Sequence, residues 1–316
     1  VLIAGGNISL GPRDIGADET SAGIAVLPFV VRGEGLDMWR EGMVDLLTTG
    51  LDGVGGLRTI DSRTVFARWS ETVGDATSVD LEQALTAAGL TGARYAISGS
   101  AVSLGSDVRL SANLYDLSDG SKIAQGTAEG AADSVLALTD QLGLSLMRDF
   151  LAESGSDAIA PQRLASLTTS SLPALRSFLE GEALFRRGQW TPAIERYEEA
   201  IEADPTFSLA LYRLYQSYGW SQSMDQDLTI EMGDRLEANL DGLPARDRAI
   251  LEVDIAIGDR TLWDEDRAED LVVAYPDDAE AWFVLGEAML HLPGPTRGGL
   301  ARAREAFAHA VNSSPD

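Results

Sequence analysis

Residues 181–205 have the sequence GEALFRRGQWTPAIERYEEAIEADP, and this segment predicts two helices joined by a short turn. Gly181 and Ala193 are small enough to let the two helices approach closely, and Tyr197 is placed to fill the gap between neighbouring hairpins. Pro205 ends the second helix, because proline has no backbone N–H to continue it. The segment therefore predicts a helical hairpin.

The spacing of these residues matches a tetratricopeptide unit, whose period is about 34 residues. The same order of small and bulky residues returns near residue 316. The residues expected to pack the repeats together are Gly181, Ala193, Tyr197, Ala200, Pro205, Trp282, Gly286, Ala303, Phe307 and Ala310. Weaker patterns add helix pairs at residues 209–240 and 245–275. The sequence predicts an all-α tetratricopeptide-type superhelix of about four hairpins over residues 164–316, which either continues past residue 316 or meets another molecule there.

The first half of the chain alternates strand and helix patterns. Residues 24–31, IAVLPFVV, form a continuous apolar run that predicts a strand buried on both faces. The order that follows, βαβα(α)βββα, predicts an α/β domain with a mixed sheet and packed helices over residues 22–151. Residues 1–21 are predicted to be a tether that begins with the end of a membrane helix or signal segment. Residues 152–163 are predicted to be a linker.

Composition excludes several functional classes. Lys and Arg number 24 against 50 Asp and Glu, a formal net charge of -26, which argues against binding to nucleic acid. The chain has no Cys, so disulfides, thiol nucleophiles and zinc ribbons are excluded. His291 and His309 lack metal-ligand spacing, and Ser98 and Ser100 lack a nucleophile-elbow pattern. We therefore expect no catalytic residues, no metal and no cofactor.

Five segments carry a resemblance to a known arrangement: IAVLPF at 24–29, REGMVDLL at 40–47, LRTID at 57–61, GSAV at 99–102 and SSLPAL at 170–175. Together they resemble a TolB N-terminal-like α/β domain followed by tetratricopeptide repeats. Such regions are similar to those that follow the kinase domain and membrane helix of bacterial eukaryotic-like serine/threonine kinases, and to regions beside adenylate cyclase or transcriptional regulator domains. The resemblance implies an extracytoplasmic signalling context, periplasmic or at the cell surface, with a membrane anchor upstream of Val1.

Kinase motifs are missing from the sequence itself. It contains no Gly-rich nucleotide loop, no VAIK-like lysine, no HRD and no DFG, so any kinase or cyclase activity would belong to a segment outside this chain.

The resemblance also implies a partner-binding groove along the first helix of each hairpin. It places there Phe178, Glu182, Arg186, Tyr212, Gln216, Trp220, Phe283, Glu287 and His291. Aromatic rings with scattered polar groups suit a peptide or protein partner. Two alternatives stay open: the phenyl and phenol rings pack against neighbouring helices instead, and Arg186 with Arg187 either receives an acidic partner or pairs with nearby glutamates.

Three functions follow from these observations. The first is a non-catalytic sensory or scaffold region of a bacterial signalling protein, which binds a protein or peptide through the repeats. The second is a structural subunit that self-assembles head-to-tail into an oligomer or filament, for which light scattering would give a mass that rises with concentration. The third is an enzyme that uses the α/β domain, and no constellation of residues supports it.

Overall fold

A computed structural model describes residues 23–33, 35–54, 57–74, 79–153, 169–221, 226–258, 265–291 and 299–313. The predicted tether, nearly all of the predicted linker, residues 292–298 and Pro315 lie outside these ranges. The described residues divide into an α/β unit, residues 23–153, and a helical unit, residues 169–312.

The α/β unit consists of a sheet and four described helices. Its strands are β1 Gly23–Val26, β2 Val30–Arg32, β3 Arg58–Thr59, β4 Tyr95–Leu104, β5 Asp107–Asp116 and β6 Lys122–Ala131. Its helices are α1 Trp39–Leu51, α2 Ser62–Val73, α3 Leu81–Gly89 and α4 Val135–Glu153. A short 3-10 turn, Ala132–Ser134, precedes α4.

The sheet has the strand order β3-β1-β4-β5-β6, and β2 pairs beside β1 along the same edge of β4. β1 runs parallel to β3 and β4, and β2 is also parallel to β4. β4, β5 and β6 pair antiparallel. The predicted mixed sheet with packed helices is therefore confirmed.

The single strand predicted over residues 24–31 is wrong. β1 ends at Val26 and β2 begins at Val30, with Pro28 between them, because proline cannot donate to a sheet ladder. Val30 is 47% exposed, so the run is not buried on both faces along its whole length. The Phe29 ring lies over Gly99, where a Cβ would be 2.4 Å from the ring.

Helices cover both faces of this sheet. On one face, Ala25 and Leu27 of the β1 region lie in a core cluster with Val65 of α2 and Ala84 of α3. On the other face, α4 crosses β5 and β6, and Gly126 lets it come close: a Cβ there would lie 2.8 Å from the carbonyl oxygen of Leu142.

The helical unit is a succession of helices. They are α5 Leu172–Arg186, α6 Trp190–Ala203, α7 Ser208–Ser221, α8 Gln226–Glu237, α9 Ala245–Gly258, α10 Glu265–Ala274, α11 Ala279–His291 and α12 Gly299–Ser313. A 3-10 turn, Leu240–Gly242, lies between α8 and α9. This arrangement confirms that a helical region follows the mixed sheet.

The first and last helix pairs share one packing contact. A Cβ added to Gly181 of α5 would lie 2.6 Å from the Tyr197 ring of α6, and a Cβ added to Gly286 of α11 would lie 2.6 Å from the Phe307 ring of α12. In both pairs, the glycine has no side chain, so an aromatic ring of the partner helix can pack directly against it.

The other residues expected to pack the repeats differ in how deeply they are buried. Four alanines are buried: Ala193, Ala200, Ala303 and Ala310. Pro205 is exposed just after α6 ends. Trp282 is half-buried, donates from Nε1 to the carbonyl oxygen of Pro276 at 2.6 Å, and stacks on His309 with the ring centroids 4.2 Å apart.

Candidate functional site

The nine residues of the predicted groove form one stripe on each of three helices, at spacings of four residues. α5 carries Phe178, Glu182 and Arg186, α7 carries Tyr212, Gln216 and Trp220, and α11 carries Phe283, Glu287 and His291. Residues four apart lie on the same face of a helix. The structure places the three stripes very differently with respect to solvent.

Phe178 does not line an open surface. It is 2% exposed, and its ring packs against Tyr197 and Phe207 with centroid distances of 5.9 and 5.0 Å. Its place in the predicted groove is therefore wrong, because α6 and the start of α7 enclose the ring. Packing against neighbouring helices, the alternative left open by the sequence, is what the structure shows for this residue.

Glu182 is buried as well, at the contact of α5, α6 and α7. The hydroxyl of Tyr197 donates to Glu182 Oε1 at 2.6 Å, and Arg213 Nε lies 3.3 Å from the same oxygen. Glu182 therefore holds three helices together, and its carboxylate is not presented to a partner.

Tyr212 and Gln216 close the predicted groove between α7 and α11. Tyr212 is 1% exposed, and its hydroxyl donates to Glu280 Oε1 at 3.3 Å. The side-chain amide of Gln216 donates to the Tyr212 hydroxyl at 2.8 Å and also to Glu280. The stripe of α7 thus contacts α11 directly, so the prediction of an open groove along Tyr212 and Gln216 is wrong.

Below this contact lies a set of buried charges that the groove prediction did not include. Arg213 reaches Glu182, Asp247 and Glu280 at 3.3, 3.6 and 3.6 Å. Arg246 reaches Asp278 at 2.7 Å, Asp247 at 2.9 Å and Glu280 at 2.8 Å. We refer to these residues as the buried ionic cluster, which comprises Glu182, Arg213, Arg246, Asp247, Asp278 and Glu280.

The buried ionic cluster was detectable in part from sequence. Arg213 interrupts LALYRLY, residues 209–215, an otherwise apolar stretch that is buried on nearly every side. A charged residue in such a stretch needs partners that lower the cost of burial. The identity of those partners was not predictable, because they come from three other helices.

Electrostatics fix the protonation of these groups. Burial raises the pKa of Tyr197 well above its usual value, and Glu182 raises it further. Burial and Glu280 raise the pKa of Tyr212 in the same way. Burial lowers the pKa of Arg213, but Glu182, Glu280 and Asp247 more than offset it, and the net pKa is well above the usual value. The tyrosines therefore stay hydrogen-bond donors and the arginine stays a cation, which suits a structural junction and not proton transfer.

A further carboxylate, Asp254 of α9, lies at the edge of this junction. The hydroxyl of Tyr215 donates to Asp254 Oδ2 at 3.1 Å and joins α9 to α7. Burial raises the pKa of Asp254 to about 6, and the charges of Glu280 and Glu287 on α11 act in the same direction. At neutral pH the fold therefore carries an unfavourable buried charge here.

Replacing Asp254 with asparagine is expected to stabilise the helical unit above pH 6 by about 2 kcal/mol. The folded-state pKa lies above the ordinary 3.8, so the stabilisation that protonation gives wild type is present below about pH 4 and is lost as pH rises through 6. Calorimetric melting of the full chain at pH 4 and pH 7.5 measures this difference. The exposed Asp270→Asn variant on α10 is the control, and an equal shift for Asp254→Asn at both pH values would contradict the assignment.

The remaining groove residues form a surface that is open to solvent. Trp220, at the end of α7, is 46% exposed. Its ring stacks on Trp190 at 5.7 Å with an interplanar angle of 21° and meets Phe283 at 5.2 Å. Trp190 continues to Phe185 at 4.9 Å, and Phe283 continues to Phe307 at 5.7 Å. We refer to this set as the aromatic row: Phe185, Trp190, Trp220, Phe283 and Phe307.

Polar residues lie near members of the aromatic row in sequence. His291 is exposed, and its Nε2 lies 3.3 Å from Glu287 Oε2. Arg186 is half-buried beside Phe185 in sequence, and Arg187 is exposed. Both arginines have interactions within the protein. Of the nine groove residues, Trp220, Phe283, Glu287, His291 and Arg186 therefore remain at a surface.

Within the part of the chain that the structure describes, no three His, Asp or Glu side chains are arranged as a metal site requires. Among the same residues, no helix combines the length and apolar character needed to cross a membrane.

Comparisons with known proteins give only weak likenesses. No protein-family model matches the sequence, and no curated protein matches it. The LpoB C-terminal domain from Salmonella enterica is 20% identical, covers 36% of this chain and 87% of its own, and has a TM-score of 0.29. A PelC dodecamer from Paraburkholderia phytofirmans is 19% identical, covers 42% of this chain and 88% of its own, and has a TM-score of 0.26. At these TM-scores neither likeness carries an argument about this protein.

Proposed function

We propose that this protein is a non-catalytic interaction module whose helical unit binds a segment of another protein on the aromatic row. The observation that carries the proposal is the exposure of Trp220 between Trp190 and Phe283. Tryptophan is a frequent energetic centre of protein interfaces, because it buries a large area with little loss of side-chain freedom. A partner that covers this ring would remove its exposed apolar area from water, which favours binding.

The interior of the helical unit supports a role without catalysis. Tyr197 and Arg213 are buried, and both contact the buried carboxylate of Glu182. Buried groups that are paired in this way are not presented to a substrate. Two of the groove residues that stay accessible, Trp220 and Phe283, are aromatic, which favours binding over chemistry.

The wider context is part of the same proposal. The glycine-to-aromatic contacts at Gly181 and Gly286 support helical hairpins of the tetratricopeptide type, stacked as repeats. An α/β unit ahead of such hairpins is the order that the TolB N-terminal-like resemblance implies. On that resemblance we place the chain in an extracytoplasmic scaffold or sensory region of a bacterial signalling protein.

Selection from a phage-displayed peptide library tests the binding role. We expect the full chain to enrich a peptide family, and Trp220→Ala to weaken binding of the enriched peptides at least tenfold, because truncation removes the central ring of the row. Leu104→Ala, which removes an exposed apolar side chain from the α/β unit, is the matched control and should bind as wild type does. Enriched peptides that bind Trp220→Ala as tightly as wild type would exclude the aromatic row as the site.

A second candidate, self-association, is favoured by one observation on α12. Leu300 is 72% exposed and Val311 is 59% exposed. Val311 follows Phe307 by four residues, as Ile201 follows Tyr197 on α6, yet Ile201 is buried. Apolar side chains of this kind are more often covered in repeat arrays. The concentration series in light scattering tests this candidate, and a constant monomer mass excludes it.

A further inference from the structure

The aromatic row has an accessible ring, Trp220, at its centre, and the carboxylate of Glu287 lies on the same face of α11 as another of its members, Phe283. Trp220 is 46% exposed, and Phe283, which contacts it, lies one turn before Glu287 on α11. A tryptophan with a carboxylate close by is a favourable surface for an arginine or lysine side chain. The aliphatic stem packs on the ring, and the charged end reaches the carboxylate.

Glu287 on α11 presents a carboxylate near this surface, and its side chain is 34% exposed. The chain as a whole has a formal net charge of -26. A field of this sign attracts cations and repels acidic segments.

The arginines near the row do not reverse this sign. Arg213 is buried against three carboxylates of the buried ionic cluster. Arg186 and Arg187 have interactions of their own within the protein. Glu287 also has an internal contact, with His291 Nε2 at 3.3 Å, but both side chains are partly exposed, 34% and 59%, so the carboxylate remains accessible to a basic partner. Receipt of an acidic partner by the two arginines, one of the readings of the sequence, is therefore less favoured.

We propose that the aromatic row, together with Glu287, binds a basic segment of a partner protein, with an arginine or lysine side chain packed on the exposed part of Trp220. This inference rests on the proposed function and specifies the chemistry of the partner. Because arginine has a planar charged group that stacks on aromatic rings and pairs with carboxylates, it is the preferred residue at the centre of the segment.

Two matched synthetic peptides test the proposal on the full chain at 150 mM salt. The basic probe is acetyl-GRGRGRG-amide and the acidic probe is acetyl-GEGEGEG-amide. We expect tryptophan fluorescence and calorimetry to report binding of the basic probe and at least tenfold weaker binding of the acidic one. Trp220→Ala should weaken the basic probe at least tenfold and Glu287→Gln about fivefold, while Trp220→Phe should recover part of the loss.

The control for charge is Glu82→Gln, which removes one exposed carboxylate from α3 of the α/β unit. It should bind the basic probe as wild type does. Equal binding of that probe to wild type and Trp220→Ala would show attraction by net charge alone and overturn the proposal. If the library yields peptides that depend on Trp220 but are uncharged or acidic, the proposed function stands and this inference fails.

Discussion

Replacing Arg213 with methionine is expected to lower the free energy of unfolding of the helical unit by about 3–5 kcal/mol. The variant removes the cation that pairs with Glu182, Asp247 and Glu280, so Glu182 loses its ion pair while Asp247 and Glu280 keep Arg246. Methionine fills much of the same volume, so the loss reports charge and not a cavity. Urea denaturation of the full chain, followed through hydrogen exchange of the α7 amides, measures the change.

Arg196→Met on α6 is the matched control for this variant. Arg196 pairs with Glu199 at 2.7 Å and Glu180 at 3.7 Å, but its side chain is 33% exposed. Solvent screens such a pair, and the expected loss is below about 1 kcal/mol. Equal losses for the two variants would show that the buried ionic cluster contributes no more than a surface pair.

Replacing Gly181 with leucine is expected to destabilise the helical unit by about 3 kcal/mol. The first added atom, Cβ, would lie 2.6 Å from the Tyr197 ring, so the ring or the helix must move. Tyr197 has little freedom to do so, because it is fully buried and its hydroxyl donates to Glu182 at 2.6 Å. The substitution therefore separates α5 from α6, and a lower melting temperature in calorimetry measures the effect.

Gly89→Leu provides the comparison, because Gly89 ends helix α3 and nothing lies within 4 Å of a Cβ built there. Leucine favours helix more than glycine does, so this variant should be unchanged or stabilised by up to about 1 kcal/mol. A Gly181→Leu protein that melts with wild type would mean that the α5–α6 contact is not tight in solution.

Much of the fold was predictable because its determinants are local. The alternation of apolar and polar residues gave the antiparallel strands β4 and β5, and the small residues around Tyr197 gave the α5–α6 pair. The interruption at Pro28 is also local, and it was missed because the apolar run around it is unbroken. Pro28 lacks the N–H that a sheet ladder needs, so it interrupts the strand although the surrounding residues are apolar.

The candidate site was predictable only in part, because its shape depends on distant contacts. The tetratricopeptide resemblance named Trp220 and Phe283, which do lie at a surface. The same resemblance placed Tyr212 there, yet its hydroxyl bonds to Glu280, 68 residues away in the chain. A resemblance identifies the helix face, but it does not identify the residues of another hairpin that pack on that face.

Because Tyr212 bonds to Glu280, we expect the helical unit to unfold differently from an ordinary stack of repeats. In an ordinary stack of repeats each hairpin touches only its neighbours, so terminal repeats fray independently. Here α7 bonds to α11 across the intervening hairpin of α9 and α10, through Tyr212 and Arg213 to Glu280. If the last hairpin unfolded, Arg213 and Arg246 would both lose their ion pair with Glu280. These contacts join helices that are distant in the chain, so we expect the helical unit to unfold as one cooperative unit.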